Sequence, residues 1–345
     1  VSTPKKGIVL EQNKEPALSR GIRVYPKEDA DFQRMETPPV STPSLMAPHE
    51  IIRLAWAAQI VDETDGRRLY KKLAAAEKEA VSEIAVDALD DEPYISSQIG
   101  PALWLPDQLA EGIALASRAT GAAEARIEIY RNLFDVEMKI PRKLGEVRIE
   151  RINGTYPAEY RTIRRLRRKN ALVIGACALI HLRRAAYENR AQSTCFVTLA
   201  GNCIANPGNY EVPIGTRVDE LLAHSGLIDN PKRIILGGSM TGYCITDPSR
   251  AVVTPTTRGI LAFHEDFQDY HFSCIGCGRC TEVCPENLAP YYIYKMIKAG
   301  RLGRLELFDV DRCVGCETCS YVCPAKLDIS HVIIQAKKSL SEKRG

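Results

Sequence analysis

Apolar positions switch between two periods along the chain, and the switches outline alternating helices and strands. Residues 1–44 show neither period. Pro, Thr, Ser and charged residues dominate there, ending in Thr37-Pro-Pro-Val-Ser-Thr-Pro43, which predicts a tail or an arm laid over a partner. Beyond Pro48 a helical period begins. Residues 49–60 place Ile51, Ile52, Leu54, Ala55 and Ala58 on one side of a helix, and 67–78 read as a second. Residues 105–120 form a third, with Pro106 in the first turn and Gly121 just past the end. Residues 160–168 and 176–188 add two more. Strand-like runs fall between them at 85–89, 125–130, 147–152 and 171–174, with a loop at Arg131-Asn132. This alternation predicts an α/β domain over residues 45–190.

A different rhythm follows. Residues 194–201 are a strand running into a glycine turn, Asn206-Pro207-Gly208-Asn209 is a tight turn, and 210–213 return as a second strand. A short helix at 218–225 stops at Gly226, and a strand at 232–236 enters Gly237-Gly238. Hairpin, helix and strand outline a β-grasp domain over residues 191–240. The paired glycines read as a strand-end turn, with close approach to a ligand as the alternative. Residues 241–264 are expected to connect back to the α/β domain. In residues 265–345 helical stripes appear at Ile293, Met296 and Ile297 and at Ile329, Val332, Ile333 and Ala336, so this last domain is expected to be α-helical.

Composition narrows the class. Of 345 residues, 45% are hydrophobic and 26% charged, with a net charge of +3. These are ordinary values for a water-soluble protein, and they give no global case for nucleic acid. The longest apolar run, 171–182, is broken by His181 and is shorter than the roughly 20 residues that span a bilayer. No apolar core of signal-peptide length opens the chain. Twelve cysteines are many for this length. Four of them, Cys177, Cys195, Cys203 and Cys244, sit in apolar or strand-like contexts and are expected to be buried thiols. Reduced thiols imply a reducing compartment, so the expected location is the cytoplasm, free, peripheral on a membrane complex, or inside a microcompartment.

The other eight carry the chemistry. Cys274-x2-Cys277-x2-Cys280-x3-Cys284-Pro285 recurs as Cys313-x2-Cys316-x2-Cys319-x3-Cys323-Pro324. A cubane [4Fe–4S] cluster needs four thiolates, and a Cys-x2-Cys-x2-Cys loop can wrap three corners of it. The fourth cysteine, before Pro, serves the other cluster in two-cluster proteins. Cys274, Cys277, Cys280 and Cys323 are therefore assigned to one cluster, and Cys313, Cys316, Cys319 and Cys284 to the other. Zinc sites use pairs of Cys-x2-Cys rather than such triples, and disulfides suit small secreted domains. A [3Fe–4S] form at either site stays open. Two adjacent clusters make a relay for single electrons.

The order of parts resembles a known family. The run from Cys195 to Leu236, centred on Ala205-Asn-Pro-Gly-Asn-Tyr-Glu-Val-Pro-Ile-Gly-Thr216, is similar to a soluble-ligand-binding β-grasp (SLBB) domain. Gly237-Gly238-Ser239-Met240-Thr241-Gly242, the paired cysteine runs and the upstream Glu92-Pro93-Tyr94 complete an order like that of the C subunit of the Rnf ferredoxin–NAD oxidoreductase complex. The cobalamin reductase of propanediol-utilising microcompartments is similar too. The resemblance spans roughly residues 48–335 and implies a flavin- and nicotinamide-binding α/β domain with a glycine-rich phosphate loop after its first helix. Here that segment is Gln59-Ile-Val-Asp-Glu-Thr-Asp-Gly-Arg-Arg-Leu-Tyr-Lys71, with Lys72 next, and it holds one glycine and three acidic residues. Bare backbone N–H groups are what approach a phosphate, so the site reads as lost and FMN and NAD are not expected. The alternative is a site rebuilt around Arg67, Arg68, Lys71 and Lys72.

Three further groups are weighed. Residues 161–169 pack six basic side chains into nine positions, and Arg161, Arg164, Arg165 and Arg168 share a helix face. The face suits solvent, or an acidic partner such as a ferredoxin or flavodoxin. His264 and His271 flank the first cysteine run, and Arg279, Arg312 and Lys326 lie beside ligands, where each could tune a potential. No catalytic triad, paired-carboxylate or zinc-hydrolase motif is visible, and no catalytic residue is assigned. The expected function is a single-electron relay subunit, with a ferredoxin, a flavodoxin or a flavoprotein subunit as partner in a larger oxidoreductase complex. A flavin-dependent NADH oxidoreductase and a non-enzymatic redox sensor or scaffold are the alternatives.

Overall fold

A computed structural model of the chain describes residues 22–25, 34–35, 40–130, 140–265 and 272–344. The expected Arg131-Asn132 loop, His271 and most of the 1–44 arm lie outside these. The chain divides into two units, Val1–Glu265 and Asp266–Gly345.

In the first unit, strand β1 (Ile22–Val24) precedes helices α1 (Pro48–Ala57) and α2 (Leu69–Glu79), strand β2 (Glu83–Ala88) and helices α3 (Ile99–Trp104) and α4 (Pro106–Thr120). Strands β3 (Glu124–Tyr130), β4 (Lys143–Leu144) and β5 (Val147–Ile152), helix α5 (Ala158–Arg168), strand β6 (Ala171–Gly175) and helix α6 (Ala176–Glu188) follow. A five-stranded sheet takes the order β4-β5-β3-β2-β6. It is parallel except for the short edge strand β4.

Period-2 alternation along β2 explains the layering. Ile84, Val86 and Ala88 enter the large core with Leu69, Leu73, Leu109, Ile113 and Leu179, so α2, α4 and α6 cover that face. Ala85 points the other way and packs with Leu166 of α5 and Val173 of β6. The predicted helices and strands of this region are all present, with ends within two residues except that α1 stops at Ala57, three residues before the predicted end. Helix α3 was not anticipated; it contains Gly100 and Pro101, the two residue types least suited to helix interiors.

Strands β7 (Thr194–Ala200) and β8 (Gly208–Pro213), helix α7 (Val218–Ser225), and strands β9 (Arg233–Leu236), β10 (Tyr243–Ile245) and β11 (Gly259–Phe263) complete the unit. Its second sheet has the order β1-β8-β7-β11-β9-β10. The 241–264 stretch is thus not a connection. It supplies β10 and β11, and β11 lies inside the sheet between β7 and β9. The N-terminal arm also contributes: β1 pairs in parallel with β8 and lies on the chain's own sheet. Cys177, Cys195 and Cys203 are buried as expected, whereas Cys244, on the edge strand β10, is exposed.

The second unit is helical. It contains α8 (Arg279–Glu282), α9 (Pro290–Lys298), α10 (Thr318–Tyr321) and α11 (Ile329–Arg344). The two predicted stripes meet in its core, where Ile293, Ile329 and Ile333 are buried and Met296, Ile297 and Ala336 pack against them.

Candidate metal centre

Duplication organises the helical unit. Each cysteine of the first run recurs 39 positions on, and the backbone repeats with it. Gly276 and Gly315 (φ 71° and 69°), Gly278 and Glu317 (73° and 61°), and Asn287 and Lys326 (54° and 53°) take left-handed conformations at matching positions. Such residues reverse the chain between successive cysteines, which a strand or helix cannot do. The short helices α8 and α10 carry the third cysteine of each run, Cys280 and Cys319, and α9 and α11 begin at the matching residues Pro290 and Ile329.

Cys284, Cys313, Cys316 and Cys319 line one small cavity. The fourth cysteine of the first run therefore faces the first three of the second. Of the other set, Cys274 and Cys277 are exposed, Cys280 is half-buried and Cys323 is buried. Among the described residues no three His, Cys, Asp or Glu side chains converge as ligands of a single metal ion. Sulfurs spread around a cavity fit a multi-iron cluster instead. Donors already aim at them: the N–H of Leu288 lies 3.4 Å from Cys284 Sγ, the Thr318 hydroxyl 3.2 Å from Cys316 Sγ, and the N–H of Gly276 3.4 Å from Cys274 Sγ. Hydrogen bonds to sulfur help set a cluster's potential.

Burial pushes the Cys319 thiol up to about 12, with Cys316 and Cys313 adding to the effect. It raises Cys313 as well, against the opposing charge of Lys337. Thiolates at these positions would be sustained by a bound metal. Lys337, on α11, went unnoticed in the sequence; its Nζ donates to the carbonyls of Asp311 at 2.6 Å and Cys313 at 2.8 Å. Of the anticipated tuning residues, Arg312 is held by the Glu286 carbonyl and carboxylate, each at 3.2 Å, and Arg279 and Lys326 are exposed. His264 lies in the first unit, its N–H bonded to Asn202 Oδ1 at 3.0 Å.

The C-terminal edge of the five-stranded sheet is where open α/β sheets bind ligands. Here the chain's own carboxylates occupy its amides. Glu63 accepts the N–H groups of Cys177 at 2.8 Å and Ala178 at 3.0 Å, in the first turn of α6. Asp90 accepts those of Gln98 and Ile99, both at 2.8 Å, at the start of α3. Glu92 accepts those of Met240 at 2.7 Å and Thr241 at 3.1 Å in the Gly237–Gly242 turn, and the Thr241 hydroxyl as well. Glu63 of the acidic loop thus bonds the first-turn amides of α6 itself. Desolvation and neighbouring Asp62 push Glu63 up to about 7, against its backbone hydrogen bonds. Lys72 is buried and paired with Asp62 at 2.6 Å and Asp65 at 3.1 Å, and Arg68 donates to the Gln59 carbonyl at 2.9 Å. Arg67 and Lys71 are exposed. On α5, Arg161, Arg165 and Arg168 are exposed, Arg164 is half-buried, and Arg167 pairs with Asp65 at 3.1 Å.

The 4Fe–4S dicluster domain model matches residues 273–327, and the SLBB domain model matches residues 196–243. The C subunit of the ion-translocating oxidoreductase complex of Rhodobacter capsulatus is 30% identical over 75% of this chain and 54% of that protein. The chain is a relative of that C subunit. The Pseudomonas aeruginosa counterpart is 27% identical over 65% of this chain and 31% of its own length. The chain thus spans about half the length of the first relative and about a third of the second. Among solved structures, an NAD+-reducing [NiFe]-hydrogenase in the H2-reduced state superposes with a TM-score of 0.53 at 14% identity, covering 89% of this chain and 64% of that one. That likeness supports the mixed α/β fold. Two [4Fe–4S] clusters are the cofactors of the dicluster domain.

Proposed function

We propose that the chain relays single electrons through two [4Fe–4S] clusters between partner proteins of a larger oxidoreductase complex. The observation that carries this reading is the duplicated cysteine unit, in which Cys284 shares a cavity with Cys313, Cys316 and Cys319. The clusters supply one-electron redox chemistry. The protein's part is to hold them close together, to direct N–H and hydroxyl donors at the sulfurs, and to pack cysteines of both sets against its apolar core. The self-occupied amides at Glu63, Asp90 and Glu92 support a chain without its own flavin. Electrons then both arrive and leave through other proteins, for which a ferredoxin, a flavodoxin or a flavoprotein subunit is suited. Among the described residues no helix is long and apolar enough to cross a membrane, which accords with a peripheral place on a complex in the cytoplasm.

A flavin-dependent NADH oxidoreductase is the second reading, favoured by the SLBB domain and the relatives from ion-translocating oxidoreductase complexes. Anaerobic purification followed by iron count, flavin assay and electron paramagnetic resonance separates the two. About eight irons without flavin, with a spin-coupled reduced spectrum, is the expected result. Flavin released on heating, together with NADH-dependent cluster reduction by the isolated chain, would establish the second reading. Crossed ligation is tested by Cys284→Ser. Its remaining spectrum should match that of Cys316→Ser and differ from that of Cys277→Ser; a match to Cys277→Ser would assign Cys284 to the other cluster.

A further inference from the structure

Duplication supplies an internal control for every residue near the clusters, and one pair breaks the symmetry. Lys337 of α11 and Lys298 of α9 are equivalent, 39 positions apart like the cysteines. Lys337 reaches back to the second cysteine loop, donating to the carbonyls of Asp311 at 2.6 Å and Cys313 at 2.8 Å. Lys298 instead lies over the Tyr294 ring, 5.7 Å from its centroid. One loop therefore has an ammonium bound to the backbone of its first ligand, and the same loop in the other repeat has its counterpart lysine turned elsewhere.

The surrounding charges sharpen the contrast. Glu286 and Glu317 line the cavity of Cys284, Cys313, Cys316 and Cys319. Both disfavour an added electron, since a reduced cluster carries one more negative charge. Glu286 is partnered by Arg312 at 3.2 Å, and Glu317 accepts the Ser330 hydroxyl. Lys337 is half-buried, so its charge is screened less than an exposed one would be, and opposite charge nearby favours the reduced state.

We propose that Lys337 selectively raises the reduction potential of the cluster held by Cys313, Cys316, Cys319 and Cys284, and so sets the difference between the two clusters. This rests on the two-cluster reading above. Lys337 is a positioning residue that acts through the Cys313 loop and the field it carries there.

The test is a redox titration of the fully loaded protein with an external one-electron reductant, followed by electron paramagnetic resonance of each cluster. Lys337→Gln keeps a donor for the two carbonyls and removes the charge; Lys337→Met removes both. At a fixed ambient potential each variant should lower the reduced-to-oxidised ratio of one cluster about tenfold, equivalent to about 59 mV for a one-electron couple. The affected cluster should be the one lost in Cys316→Ser. Lys337→Arg should stay close to the parent, and Lys298→Met should move neither cluster. Equal shifts of both clusters, a shift of the other cluster, or none overturns the proposal. So does loss of four irons from Lys337→Gln, which would make the residue structural. A parent protein without two clusters fails on iron count before any titration, and that result is a failure of the relay reading instead.

Discussion

At the residue scale, the features legible in the sequence are those whose partners are close in sequence. Each Cys-x2-Cys-x2-Cys run is such a case, because its loop is local and its spacing is its geometry. Glu63 is the opposite case. Its acidity was visible, but its seat on α6 is made with amides 114 and 115 positions away, and no local pattern encodes that. The buried carboxylates near the sheet edge carry a pH signature. Asp91 accepts the N–H of Glu159 at 2.9 Å, and burial, with the Glu159 charge adding, pushes it up to about 6. A carboxyl whose folded pKa lies above its unfolded value binds its proton more tightly in the folded state. Its contribution to stability is then full below about pH 4 and falls as pH rises through about 6. Glu63, pushed up to about 7, has the same sign. Asp91→Asn keeps an oxygen for the Glu159 N–H and removes the titration. It should be more stable than the parent at pH 7.5, and its advantage should grow by about 1 kcal/mol between pH 5 and pH 7.5. Urea unfolding followed by circular dichroism at the two pH values reads this directly; a constant or shrinking advantage would contradict the assignment.

At the element scale, amphipathic helices were readable because one face of each must be apolar, and α1 and α4 show it. Strand β11 was not. Gly259-Ile-Leu-Ala-Phe263 is buried throughout, so it has no alternation to betray a strand, and short all-apolar runs do not distinguish strand from helix. Strand β1 has only three residues within a stretch of polar and proline-rich composition. The tightest helix contact was equally hidden. Gly112 of α4 is buried against α6, and a Cβ there would overlap the Leu179 carbonyl oxygen and lie 3.2 Å from Leu179 Cβ. Two effects compete in Gly112→Ala. Alanine gains about 1 kcal/mol of helix propensity over glycine. Overpacking costs about 1–3 kcal/mol, and the obstacle here is backbone, which cannot rotate aside. Packing should prevail with the cost near the upper end of that range, giving a net loss of up to about 2 kcal/mol. A lower urea midpoint with an unchanged m-value is the expected outcome, whereas a stabilised variant would show that α4 and α6 are free to separate.

At the scale of the whole molecule, the two units depend on different forces. The first has a large apolar core on one face of its parallel sheet, a small separate cluster on the other face, and a further core in its β-grasp part. Among its described residues the helical unit buries eight core residues, one of them Cys323, and five of its cysteines belong to that core or pack against it. Its helices α8 and α10 are four residues each, too short to persist unaided. A unit of this size with so small an apolar core is expected to need a metal or a staple to fold, a role that the proposed crossed ligation by Cys284 and Cys323 would fill. Iron removal by a chelator under reducing conditions should therefore unfold the second unit and spare the first. In hydrogen exchange followed by mass spectrometry, peptides from α9 and α11 should fall to the exchange rates of unstructured chain. Peptides from β2, β3, β7 and β11 should stay within about twofold of the loaded protein, because the opening that exposes them is governed by a core without iron. Uniform loss of protection would mean that the clusters stabilise both units. Retained protection in α9 and α11 would mean that the apolar stripes centred on Ile293 and Ile333 suffice without metal, and that the cysteine loops close over a scaffold already folded.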